Sequence, residues 1–153
     1  MKRILLSVIV AGMAFVPGMA QHSQPEKGDI GAIVYSKFEN KEDAMQFVVQ
    51  EILFRMNIIP ETYDADLGYL VTERFYFQGW LNCQFVFMFK TDGDRIAVKI
   101  LGRNYENNQG SGMHRGPMKY AKGMPGSPVD SYWGYLTGIA EKIPSNSIEY
   151  FGS

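Results

Sequence analysis

A chain of 153 residues with 15 basic and 16 acidic side chains, 46% of it hydrophobic, has the material for one packed domain and no surplus of either charge. That balance excludes the usual kind of nucleic-acid-binding protein, which must neutralise phosphates with a basic excess. A single cysteine, Cys83, excludes an intrachain disulfide, so stability has to come from packing.

Met1-Lys2-Arg3 makes a positive start, Ile4 to Val16 is mostly apolar, and Gly18 and Ala20 are small residues at the two positions a signal peptidase reads. The pattern predicts a secretory signal over residues 1–20, cut before Gln21. Gly12 and Pro17 interrupt the run, and no other long apolar stretch follows, so no membrane span is expected. The expected product is exported, periplasmic or secreted, and soluble. A bacterial lipoprotein would carry a cysteine just after the cleavage point, whereas Cys83 lies far downstream.

Residues 21–28 are polar, contain Pro25 and show no periodicity, which predicts a flexible leader before a single domain over 29–153. Ile30 to Phe38 is rich in β-formers and predicts the first strand. Asn40 is a good N-cap with Asp43 at the third helical position, and Met45, Val48, Val49, Ile52, Leu53 and Met56 then form an apolar stripe at helical spacing. This predicts a helix ended by Asn57 in the left-handed conformation. Ile58 to Tyr63 and Tyr69 to Phe77 read as strands around the turn residues Asp64 to Gly68.

Cys83 to Lys90 and Arg95 to Tyr105 flank Asp92-Gly93, a strong short hairpin signal. With those two residues at the centre of the turn, Phe89 falls opposite Ile96, Phe87 opposite Val98 and Phe85 opposite Ile100. One face is then aromatic against β-branched, and the other is mixed. From Glu106 to Pro128 the glycines and prolines predict a long loop, with no acidic residue between Asn107 and Val129. Asp130 to Ile143, with Trp133, Leu136, Ile139, Ala140 and Ile143 on one face, predicts a closing helix stopped by Pro144.

The order strand, helix, four strands, helix is an α+β fold with a mostly antiparallel sheet. On that order, with the Asp64 to Gly68 turn and the Phe85 to Ile100 hairpin behind a signal segment, the chain resembles secreted bacterial proteins of unknown function whose domain is TATA-box-binding-protein-like (TBP-like). The resemblance spans roughly Ile30 to Ile143 and rests on the pattern of elements. It implies a β-α-β-β-β-β-α sheet with both helices on one face. It implies no activity, and likeness of fold does not carry DNA binding, because function lives in sites.

Several residue groups have chemistry to weigh. Cys83 and His114 would make a nucleophile and its base only if residues 106–128 fold back over the sheet; Cys83 is also in phase with Phe85, Phe87 and Phe89, which predicts a packing role. Asp64, Asp66 and Gly68 resemble the start of a calcium loop, but the twelfth loop position is Phe75 rather than a bidentate Glu, so turn chemistry is expected there and at Asp92 and Asp94. Met113, His114, Met118 and Met124 are soft donors suited to Cu(I), although their spacing is irregular; the competing reading is a basic surface loop carrying Arg115, Lys119 and Lys122. Arg74, Tyr76, Met88, Lys99 and Arg103 fall with Gln84 and Val86 on the mixed sheet face, and aromatic, methionine and arginine side chains are enriched where proteins bind partners.

No paired carboxylates, nucleophile with base, or phosphate loop stands at usable spacing. The expectation is a non-enzymatic exported domain that binds a protein, peptide or glycan through Arg74, Tyr76, Met88, Lys99, Arg103, Arg115 and Lys119, with no cofactor and no nucleic acid. The alternative is a soft-metal-handling protein or an enzyme using His114 and the nearby methionines.

Overall fold

The computed structural model describes residues 21–77, 81–108, 111–120 and 128–152. The expected signal segment 1–20, Lys122 and Met124 lie outside them. Among the described residues the strands are β1 (Gln21–His22), β2 (Asp29–Ser36), β3 (Pro60–Asp64), β4 (Tyr69–Thr72), β5 (Phe75–Phe77), β6 (Leu81–Asp92), β7 (Arg95–Asn108), β8 (Ser111–Pro117) and β9 (Ser145–Gly152). The helices are α1 (Lys41–Phe47), continued by a π-helical stretch and a short 3-10 turn, and α2 (Pro128–Lys142). The strands form one antiparallel sheet in the order β1-β9-β2-β7-β6-β4-β3, with β5 also on β6 and β8 also on β7. This is an α+β architecture.

The first helix begins as its residues require. The Asn40 side chain accepts a hydrogen bond from the Asp43 amide at 2.8 Å and donates one to the Asp43 carboxylate at 2.7 Å. From Val48 to Leu53 the winding loosens to the i→i+5 pattern, with the Phe54 amide donating to the Val49 carbonyl. A wider turn puts i, i+4 and i+5 on one face, and Val48, Ile52 and Leu53 are all buried there. The stripe expected of a regular α-helix therefore reaches the core through a different winding. Asn57 is left-handed at φ 55°, and the Ile58 amide donates to Leu53 while the Asn57 amide donates to Phe54. That pair of bonds is a Schellman motif.

The central hairpin has the expected faces with a shifted register. Gly93, at φ +63°, is the first central residue of the turn and Asp94 the second, so Asp92 pairs with Arg95. Positive φ at the first central position alone is the pattern of a type II′ turn, which takes glycine there. Phe89 consequently faces Val98, Phe87 faces Ile100 and Phe85 faces Gly102. A slip of one residue would have exchanged the faces; moving each partner by two keeps Phe85, Phe87 and Phe89 on the core side.

Two elements depart further from the sequence expectations. Residues 111–117, expected within a long loop, form β8, and 118–120 stay tied to the sheet through Met118 N–H to the Gly102 carbonyl and Tyr120 N–H to the Asp29 carbonyl. Backbone ladder bonds to the long β7 override the weak β propensity of Ser-Gly-Met-His-Arg-Gly-Pro. Beyond Pro144 the chain returns as β9 beside β2. Part of the expected leader is likewise paired, Gln21 with Phe151 and His22 with Tyr150. The single strand expected over Tyr69 to Phe77 is split into β4 and β5, and the Thr72 hydroxyl accepts from the Phe85 amide at the break.

Both helices pack on the same side of the sheet. Met45, Val48, Ile52 and Leu53 from the first helix and Trp133, Leu136, Ile139, Ala140 and Ile143 from α2 bury Phe85, Phe87, Phe89, Ile96, Val98 and Ile100. Tyr132 lies over Gly102 and stacks on Phe85, ring centroids 5.4 Å apart. Glycine leaves space on β7 that the tyrosine ring fills, so an aromatic covers the gap that the shifted register opened opposite Phe85.

Candidate binding face

Strand alternation sends the other half of each strand to the face opposite the helices. The register arranges that face in rows across the sheet. Tyr69, Met88, Lys99, Ile33 and Glu149 make one row, and Val71, Val86, Leu101, Gly31 and Phe151 make the next. Gln84 faces Arg103 in a third, and beyond it the backbone pairs Tyr76 with Asn82, Asn82 with Tyr105 and Tyr105 with His114.

The middle of this face has its own apolar cluster of Ile30, Ile33, Ala97 and Phe151, with Tyr35 and Leu101 packed against it and no helix residue contributing among the described residues. The Lys99 ammonium lies 4.5 Å from the centre of the Phe151 ring, a cation–π contact. Burial, with a smaller contribution from Lys90, lowers the Lys99 pKa from its ordinary value. Tyr35 donates to the Glu149 carboxylate at 3.1 Å, and burial followed by the Glu149 charge pushes its phenol up to about 12. The Gln84 amide donates to Glu61 and to the Thr72 carbonyl, both at 2.9 Å, so this buried polar side chain is held in place.

Met88, Lys99 and Arg103 are half-buried. Among the described residues neither Lys99 nor Arg103 has a carboxylate in ion-pair range, whereas Arg95, next in the same β7 series at four-residue spacing, is paired with Glu39 at 3.0 Å. Beside Arg103 is a pocket of about 220 Å3 lined by Ile30, Leu101, Gly102, Arg103 and Pro117. The sequence reading placed Leu101 on this face, opposite Gln84, and missed Ile30 and Phe151; nothing near Phe151 pointed there, because the closing strand itself had not been anticipated.

The other expected residues are distributed as follows. Tyr76 is on β5 opposite Asn82. Arg74 is not on a strand; it is exposed in the break between β4 and β5. Arg115 is on β8, and Lys119 is exposed just after it. Met113 and His114 are also on β8, paired with Glu106 and Tyr105. Met118, by contrast, is buried in the helix-side core, which separates it from an outward donor set.

Cys83 is fully buried in that same core, and burial pushes its thiol up to about 12, so it is protonated at neutral pH. His114 is in register with Tyr105 and hence with Asn82, one residue out of phase with Cys83 and two strands away. The two are not brought together. At the Asp64 to Gly68 turn the Asp64 carboxylate accepts from the Leu67 amide at 2.9 Å, and Gly68 takes φ +65°. This is the turn chemistry expected there.

In comparisons with known proteins, no family model matches the chain and no curated protein sequence matches it.

Proposed function

We propose that this chain is an exported, non-enzymatic binding domain that holds a protein, peptide or glycan on the sheet face opposite its helices. One observation carries the reading: Lys99 and Arg103, half-buried cations without a carboxylate partner among the described residues, adjoin Met88, Tyr69, Leu101 and a pocket of about 220 Å3. Arginine and tyrosine are enriched among the residues that dominate interface energetics, and a cation already partly stripped of water gains most from an incoming partner. Lys119, exposed just beyond β8, adds a further basic residue. Export rests on the positive start, apolar run and small residues of Met1 to Ala20.

The TBP-like resemblance is supported by element order. A strand, a helix, the strands β3, β4, β6 and β7, and a closing helix follow one another, with both helices on one face. Strands β1, β5, β8 and β9 are additions to that pattern.

The test starts from ligands captured out of the envelope and secreted fractions, then measures each purified ligand against Tyr76→Ala with Arg103→Ala. We expect binding to weaken by about 2 kcal/mol or more while circular dichroism stays unchanged. Unchanged affinity for every captured ligand would remove the sheet face as the site. Intact mass of the exported protein should correspond to a chain starting at Gln21.

A further inference from the structure

We infer that the sheet face recognises an acidic peptide segment in which an apolar side chain sits between two carboxylates in extended chain. The inference rests on the sheet-face binding reading above and adds the chemical class of the ligand.

Lys99, Leu101 and Arg103 stand at alternate positions of β7 and so share one face, in steps of about 7 Å. A cation, an apolar residue beside a pocket, and a second cation are thus spaced like alternate side chains of an extended strand. A ligand chain lying along β7 would offer carboxylates at i and i+4 to the two cations and an apolar group at i+2 to the pocket of Ile30, Leu101, Gly102, Arg103 and Pro117. That pocket, about 220 Å3, is sized for one aliphatic or small aromatic side chain.

The charges around the cations decide between a short acidic segment and a uniform polyanion. Glu149 is two strands away from Lys99 in the same row, held by Tyr35. Glu61 is held by Gln84, the cross-strand neighbour of Arg103. Asp29, nearly fully buried at the start of β2, is held by His22 at 2.9 Å. Lys90 adds a positive charge on β6, opposite Ala97. Fixed carboxylates on both sides of a narrow cationic line would repel a wide polyanion, while a single extended chain stays on the line. A polyanionic glycan or nucleic acid is therefore disfavoured by charge, and a peptide with apolar side chains between its acids is favoured.

The experiment uses fluorescence anisotropy on the exported protein with a labelled peptide of core Glu-Thr-Leu-Thr-Glu. Saturable binding is expected, with loss on exchanging both glutamates for lysine and about tenfold weakening on replacing leucine by glycine, the scale of burying one aliphatic side chain. Binding should weaken with salt, and Lys99→Gln with Arg103→Gln should weaken it at least about tenfold. The peptide exchanges need no protein variant, so they decide the matter even if the double variant misfolds. Absence of binding, indifference to the glutamate-to-lysine exchange, or tighter binding of an oligogalacturonate of equal charge would overturn the inference. Amide shifts on Met88 and Leu101 with a lysine-core peptide, or with the oligogalacturonate, would then leave the sheet-face reading standing without an acidic peptide as its ligand.

Discussion

On β6, Cys83, Phe85, Phe87 and Phe89 turn to the helices and are at most 1% exposed, while their sequence neighbours Gln84, Val86 and Met88 turn to the opposite face. The helix side is predominantly apolar, with Ser36 and Thr72 as buried polar exceptions, and is covered by two helices. The opposite side has a small apolar centre built, among the described residues, from strand side chains, and bordered by Lys99, Arg103, Glu149 and Gln84. Strand periodicity thus lets one sheet place its helix-covered core on one face and a line of cations and polar groups on the other, where the proposed recognition would occur, with residues one position apart in different surroundings.

The sharpest way to break this comparison is to truncate adjacent residues of β6. Phe87→Ala should cost about 3 to 5 kcal/mol, a large part of the stability of a domain this size. Met88→Ala should cost markedly less, because Met88 is only partly buried and keeps some of its surface in water. Urea unfolding followed by circular dichroism measures both. Equal losses would mean the two faces do not differ as their burial indicates.

A smaller effect is expected at Gly102, where the faces meet through the backbone. A Cβ there would stand 1.0 Å from the Tyr132 hydroxyl, so Gly102→Ala must displace a buried ring and should cost about 1 to 3 kcal/mol. That hydroxyl is itself buried with no hydrogen-bond partner among the described residues, and burial raises its pKa well above the ordinary value. Tyr132→Phe removes the unsatisfied group and is expected to stabilise by about 1 kcal/mol. A destabilised Tyr132→Phe variant would show that the hydroxyl has a role that packing does not explain.

How far the fold was legible follows from which signals are local. Asn40, Asp43 and Asn57 act within a few residues of themselves, and each cap formed as their chemistry required. The phase of Phe85, Phe87 and Phe89 was legible because period two survives a shift of each pairing by two residues, even though the turn centre moved to Gly93-Asp94. β8 was not legible, because its pairing is dictated by the length of β7 rather than by anything in Ser111 to Pro117. In β9, Ile148 and Tyr150 alternate with Glu149, but such a short pattern after Pro144 carries little weight without its neighbour β2. The candidate face inherits both outcomes. Met88, Lys99 and Arg103 came from the legible hairpin, while Phe151 and Ile30 depend on long-range pairing.

The finest expected effect concerns the edge where β1 joins β9, beside the Phe151 ring that supports Lys99. The His22 imidazole is 2.9 Å from the Asp29 carboxylate, and Glu26 is 3.9 Å away. The hydrogen bond to Asp29 is the largest influence and raises the His22 pKa; burial opposes it, and the charges of Asp29 and Glu26 add to it. Because the folded value lies above the unfolded one, the tether contributes fully below the ordinary histidine pKa of about 6.5 and is lost as pH rises through the raised folded value. Thermal unfolding of the parent and of His22→Ala should therefore differ more at acidic pH than at alkaline pH. The loss should appear first as faster amide exchange at Tyr150 and Phe151, with Phe87 unaffected. A parent-to-variant difference that stays constant across that range would mean that the edge is held by its backbone pairing alone, with no contribution from the protonated imidazole.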